Sequence, residues 1–132
     1  MNAVMQPDLT IANFEVGDID AERFGHQGHM YVAWLYIRRY GTVDAITRFD
    51  AALRRLTQQL GVPGKYHATM TWFFVLLIAE RFDERDGWNT FCSKNVDLIT
   101  DSKKTLGRYY SEDLLFSEFA RERFVLPDNL RI

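Results

Sequence analysis

The chain has 132 residues, 47% of them hydrophobic and 26% charged, which is the make-up of one globular domain and excludes a disordered or fibrous chain. Sixteen basic against eighteen acidic residues leave a net charge of −2, without the basic excess expected of a nucleic-acid binder. Cys92 is the single cysteine, so neither an intrachain disulfide nor a cysteine-based zinc cluster can form.

The first ten residues lack a basic stretch followed by an apolar one, so no signal peptide is expected. The longest apolar run, Trp72–Ala79, falls well short of the ~20 residues that span a bilayer. A cytoplasmic protein without membrane contact is the expectation.

Residues 1–17, interrupted by Pro7, Asn13 and Gly17, read as an irregular arm with a short extended piece at Leu9–Phe14. Asp18 or Asp20 can cap the helix that follows, and Glu22 suits its positive end. Its body is His26–Tyr40, closed by Gly41. Gly25 and Gly28 each cost a helix interior about 1 kcal/mol, which points to a break there or to a close approach by another group.

Thr42 is the expected N-cap of a second helix, in which Ile46, Phe49, Leu53, Leu56 and Leu60 recur every three or four residues. Gly61 ends it, and Val62-Pro63-Gly64 makes a tight connection to a third helix, Tyr66–Phe82. That helix is apolar on every side over Met70–Ala79, the mark of a helix buried on several faces and central to a domain. After a charged turn at Asp83–Gly87, Trp88–Ile99 reads as a fourth helix. Beyond it the pattern breaks into Lys103–Tyr110, Ser111–Phe116 and Ser117–Phe124, where Ser111 and Ser117 resemble helix starts and Pro127 is a stop. The sum is all-α: one domain, a compact bundle of about four main helices over 18–99, with short helices of 100–132 packed on it.

The three histidines are the foremost candidates for chemistry. His26 and His29 lie three apart, and Glu22 lies four before His26, so they share one helix face if the helix reaches back that far. His67 opens the third helix. In an up-down-up arrangement the first and third helices start at the same end of the bundle, where His26, His29, His67 and Glu22 can converge. Imidazoles on facing helices can hold Zn²⁺, Fe²⁺ or Mn²⁺ and leave a position open for substrate. Without a metal the same residues would form a polar pocket with histidine acid/base groups, or each would merely pack a ring and bond a backbone carbonyl. Thr71, Tyr36 and Trp72 are the further candidates for lining the pocket. Glu80 lies about 20 Å along the axis from His67, away from this cluster, and suits an ion pair with Arg39 or a place in solvent. Cys92 has no activating neighbour but Lys94 and reads as an ordinary helical cysteine. No phosphate loop, nucleotide fingerprint or serine elbow is present in the sequence.

The run Phe24-x-His26-x-x-His29, Ala33-Trp34-Leu35, Tyr66-His67-x-Thr69-x-Thr71-Trp72 and Ile78-Ala79-Glu80-Arg81 resembles an uncharacterised family of small bacterial proteins, all-helical in expectation. The resemblance covers roughly Phe24 to Arg81, with a weaker echo in Tyr109-Tyr110-Ser111 and Phe124-Val125-x-Pro127-Asp128. It implies a bacterial origin and brings no assigned activity. The histidine set is also similar to the three-histidine metal bundles of the DinB-like group, although its close pair stands on the first helix rather than on a later one. Two functions follow as expectations: a small-molecule enzyme or ligand-binding protein with a histidine-lined pocket, or a non-enzymatic module whose segment Leu106–Phe124 seals a homodimer or partner contact.

Overall fold

The computed structural model describes residues 9–129, and its regular structure there is helical, without strands. The elements are α1 (Ile11–Glu15), α2 (His26–Tyr40), α3 (Thr42–Gln59), a 3-10 turn at Pro63–Lys65, α4 (Ala68–Arg81), α5 (Trp88–Lys94), α6 (Val96–Thr100), α7 (Ser102–Tyr109), α8 (Glu112–Leu115) and α9 (Glu118–Glu122). None of the described helices is long and apolar enough to cross a membrane.

The core is built by α2, α3 and α4, each of which packs on the other two. Helix α2 contributes Val32, Ala33, Tyr36 and Ile37, α3 contributes Ala45, Phe49, Ala52 and Leu56, and α4 contributes Phe73, Phe74, Val75 and Ile78, all buried. Gly41 alone joins α2 to α3, as C-cap of one and N-cap of the other, at φ +79°. No atom would meet a Cβ there within 4 Å, so the requirement for glycine is one of backbone conformation rather than of space. Helix α4 is central as its composition implies, since it also packs on α9 and buries residues on several sides.

Three local expectations change. The piece at Leu9–Phe14 is not extended: Thr10 accepts a hydrogen bond from the Asn13 amide and starts α1. Phe14 of that helix is fully buried and stacks on Phe49 with ring centroids 5.4 Å apart, so this part of the arm belongs to the core. Residues 1–8 of the expected arm lie outside the described residues. The first long helix starts at His26, not near Asp20, which instead receives the amide of Glu22 in a preceding turn. The fourth helix is two, because Asn95 leaves helical geometry (φ −132°, ψ 47°) and its side-chain amide donates to the Phe91 carbonyl.

Both glycine expectations at the start of α2 hold. Gly25 is the N-cap, where the helix begins. A Cβ on Gly28 would stand 2.9 Å from the Phe24 ring, the close approach that favours glycine there.

In the C-terminal part, Ser111 and Ser117 cap α8 and α9 through their hydroxyls, as the sequence predicts. The two weaker echo motifs meet in space. The Tyr110 hydroxyl donates to the Val125 carbonyl at 2.7 Å, and both carboxylate oxygens of Asp128 accept from Ser111.

Candidate functional site

A cavity of about 610 Å³ opens where the start of α2, the end of α3 and the start of α4 meet. His26 and His29 reach it from α2, Leu53, Leu56 and Thr57 from α3, and His67, Met70 and Thr71 from α4. All three histidines thus belong to the lining of one cavity. Most of the lining is apolar, and among its described residues there is no carboxylate. Lys65, exposed, is its one lysine or arginine.

The protons on the rings follow from their partners. His67 is the N-cap of α4, and its Nδ1 accepts the Met70 amide at 3.1 Å. That nitrogen is therefore unprotonated, so Nε2 carries the proton and donates to the Leu115 carbonyl at 2.7 Å. A carbonyl oxygen can only accept. Hence His26 donates through Nε2 to Leu98 at 3.0 Å, and His29 donates through Nδ1 to Gly25 at 3.0 Å. In their neutral forms His26 keeps a lone pair on Nδ1 and His29 keeps one on Nε2, whereas both nitrogens of His67 are engaged. Burial pushes the His29 pKa below its ordinary value; the bond to the Gly25 carbonyl opposes this and His26 adds to it.

These bonds decide how well the histidines suit a metal. A ligating imidazole needs a free lone pair, and His67 as placed has none. Glu22 lies in the exposed turn before α2 and does not line the cavity. Among the described residues no group of three or more His, Cys, Asp or Glu side chains is arranged to hold a metal ion. The residues present do not fit the three-histidine shell.

Thr71 lines the cavity but donates its hydroxyl to the His67 carbonyl at 2.8 Å, the usual return to the preceding turn. Tyr36 does not reach the cavity. It is fully buried against Phe14 and Phe49, and its hydroxyl donates to Glu15 at 2.9 Å, so burial and that carboxylate raise its pKa. Trp72 points away as well, stacking on Phe124 and donating its indole N–H to Asp50 at 3.2 Å.

Asp50 was not legible as a site residue. It receives the Tyr66 hydroxyl, the Trp72 indole and the Arg54 guanidinium, which ties α3 to the entry of α4 and fixes Tyr66, a wall of the cavity. Only the Asp50–Arg54 spacing of four hints at any of this in the sequence. Thr69, known from the sequence only as part of a motif, ties α4 to the C-terminal segment. Fully buried, it donates to the Ala120 carbonyl at 2.7 Å and accepts the Val125 amide at 3.2 Å. Elsewhere, Glu80 is exposed, Arg81 pairs with Asp97 at 2.8 Å, and burial pushes the Cys92 thiol up to about 11.

Comparison with protein-family models, curated proteins and solved structures finds no match to this chain.

Proposed function

We propose that this is a small-molecule enzyme or ligand-binding protein whose ligand occupies the cavity at the shared end of α2, α3 and α4, held by its histidines without a metal. The observation that carries this reading is a cavity of about 610 Å³, within the range of about 300–1,000 Å³ common for small-molecule sites, with all three histidines in its lining. An apolar wall supplies affinity and a few fixed polar groups supply orientation. His29 Nε2 and His26 Nδ1 are the acceptors a ligand hydroxyl or amide would meet, and His29, held neutral by burial, has the protonation state of a general base. His67 acts as a positioning residue, because its ring fixes the start of α4.

The test is a ligand screen read by thermal shift, repeated on Thr57→Trp. Thr57 is half-exposed at the cavity wall, so the indole fills space there without entering the core. Compounds that stabilise the wild type and not Thr57→Trp support the proposal; stabilisation that persists in the variant places the ligand elsewhere. Metal analysis gives a second arm. The reading expects purified protein without stoichiometric Zn, Fe or Mn and a melting temperature unmoved by added Zn²⁺, and one tightly held equivalent lost in His26→Ala would overturn it.

A second reading is favoured by Phe116, Phe119 and Leu126, which are 64%, 55% and 77% exposed near the C-terminal end. Exposed apolar side chains of this size in one segment suit a contact between copies of the chain or with a partner. Dimers in light scattering that dissociate in Phe116→Glu/Phe119→Glu would support it, and a monomer at all concentrations would remove the homodimer.

A further inference from the structure

We infer that the ligand of the cavity is a neutral, mostly hydrocarbon molecule carrying one hydrogen-bond donor, such as a hydroxyl, and that this donor binds Nε2 of His29. This rests on the cavity being a ligand site and specifies the class of ligand it takes.

The lining holds an open acceptor and has spent its neutral side-chain donors. His29 gives its Nδ1 proton to the Gly25 carbonyl at 3.0 Å, which fixes the tautomer and leaves the Nε2 lone pair without a partner among the described residues. His29 belongs to this cavity, whereas His26 is shared with a second one that Gln27, Tyr31 and Ser102 help to line. The other side chains with a proton to give have given it: Thr57 to the Arg54 carbonyl at 3.0 Å, Thr71 to the His67 carbonyl at 2.8 Å, His67 to the Leu115 carbonyl at 2.7 Å, His26 to the Leu98 carbonyl at 3.0 Å and Tyr66 to Asp50. The first turn of α2 does not change this, because Gln27 and Gly28 line the second cavity and not this one. An acceptor entering here finds these protons taken, and a donor finds a lone pair.

The neutrality of the ligand follows from the same lining. No described lining residue is an aspartate or glutamate, so a cationic donor would be buried without a counter-charge and on the same wall as Lys65. An anion could pair with Lys65 only where that side chain is exposed, and deeper in it would face the lone pair of His29, whose unprotonated form burial favours. The remaining wall, with Phe24, Leu53, Leu56, Met70 and Phe74, is hydrocarbon and rewards an apolar body in proportion to the area it buries. A body that fills this space shuts water out from His29 Nε2. A ligand that brings no donor then strands a buried acceptor, and one that brings a donor does not.

The experiment is titration calorimetry of the full chain at pH 7 with octanol, methyl hexyl ketone, octanoate and octylammonium, probes of equal carbon count, each below its aggregation concentration. Octanol is expected to bind about fivefold more tightly than the ketone, which can only accept, and roughly tenfold or more above either ion. In His29→Phe a ring still stands against Phe24 and the Gly25 carbonyl keeps its bond from the backbone amide of residue 29. There the alcohol and the ketone should bind alike. Nitrogen NMR of the wild type reads the same contact without a substitution: the His29 Nε2 resonance should move toward that of a hydrogen-bonded nitrogen with octanol and not with the ketone. A ketone bound as tightly as the alcohol, an ion bound more tightly, an alcohol preference that survives His29→Phe or an Nε2 resonance unmoved by octanol would each overturn the inference. If alcohol and ketone bind the wild type equally and neither binds Thr57→Trp, the cavity stands as the ligand site and the donor requirement is wrong. If none of the four binds, both fail.

Discussion

The cavity end of the bundle and the C-terminal segment from Ser102 to Asn129 are built on opposite plans. The bundle consists of helices of 14 to 18 residues with broad apolar faces, and packing holds it. Its polar groups at the cavity are largely bonded to backbone groups, and space is left between them. The C-terminal helices have eight, four and five residues, lengths at which a helix has little stability of its own. Beside the buried Leu106, Tyr110, Leu115 and Ala120, individual long-range hydrogen bonds fix them: Thr69 to Ala120 and Val125, His67 to Leu115, Tyr110 to Val125, and Arg121 to the Gly64 carbonyl at 2.6 Å. Where hydrophobic area decides, a single polar change is absorbed; where single bonds decide, it is felt in full.

That contrast can be broken most sharply at Thr69. Thr69→Val keeps the shape of the side chain but leaves the Ala120 carbonyl and the Val125 amide without their partner, and should cost about 3 kcal/mol in urea unfolding. A loss under about 1 kcal/mol would show that the segment is held by packing after all. His67→Ala comes next, at about 2 kcal/mol for the lost cap and the lost bond to Leu115. His67→Asn can restore the cap alone, so its cost should be about half as great.

The third test concerns spare volume. Leu53→Phe projects into the cavity and should change stability by less than about 0.5 kcal/mol, whereas Val32→Phe in the closed part of the same bundle should cost about 1–3 kcal/mol. Equal penalties would mean that the cavity has no room to give. The smallest effect is in pH. Because the folded His29 has a pKa below its ordinary 6.5, the unfolded chain binds more protons beneath that pH. Stability should therefore be level above about 6.5 and fall as the pH drops through 6.5 toward the lower folded value. Melting temperatures of wild type and His29→Gln between pH 8 and 5 isolate this term, and the variant should show the shallower decline.

The sequence was readable where its signals are periodic. The three-and-four spacing of Ile46, Phe49, Leu53 and Leu56 and the apolar run of α4 predict the long helices and their order. His26, His29 and His67 all line one cavity at the ends of these helices. The direction in which each ring points was not readable, because it depends on carbonyls far away in the chain: Leu98 for His26 and Leu115 for His67. Tyr36 and Trp72 do not reach the pocket, because nearness to the histidines along a helix does not reveal the neighbour on that side. Phe14 and Phe49 claim the first, Asp50 and Phe124 the second. Helix α1 is not legible in the sequence because a five-residue helix is too short to show a period, and the Thr10 cap is its only local mark.

One contact ties the cavity to a position outside it. Phe24 forms part of the cavity wall, lies on the His29 ring with centroids 4.3 Å apart, and rests on the bare α-carbon of Gly28. Gly28 thereby sets where the phenyl wall of the cavity stands. A methyl group there would strengthen the helix by propensity while pushing the phenyl wall aside, so the capacity of the chamber and the firmness of its frame cannot drift independently at residue 28.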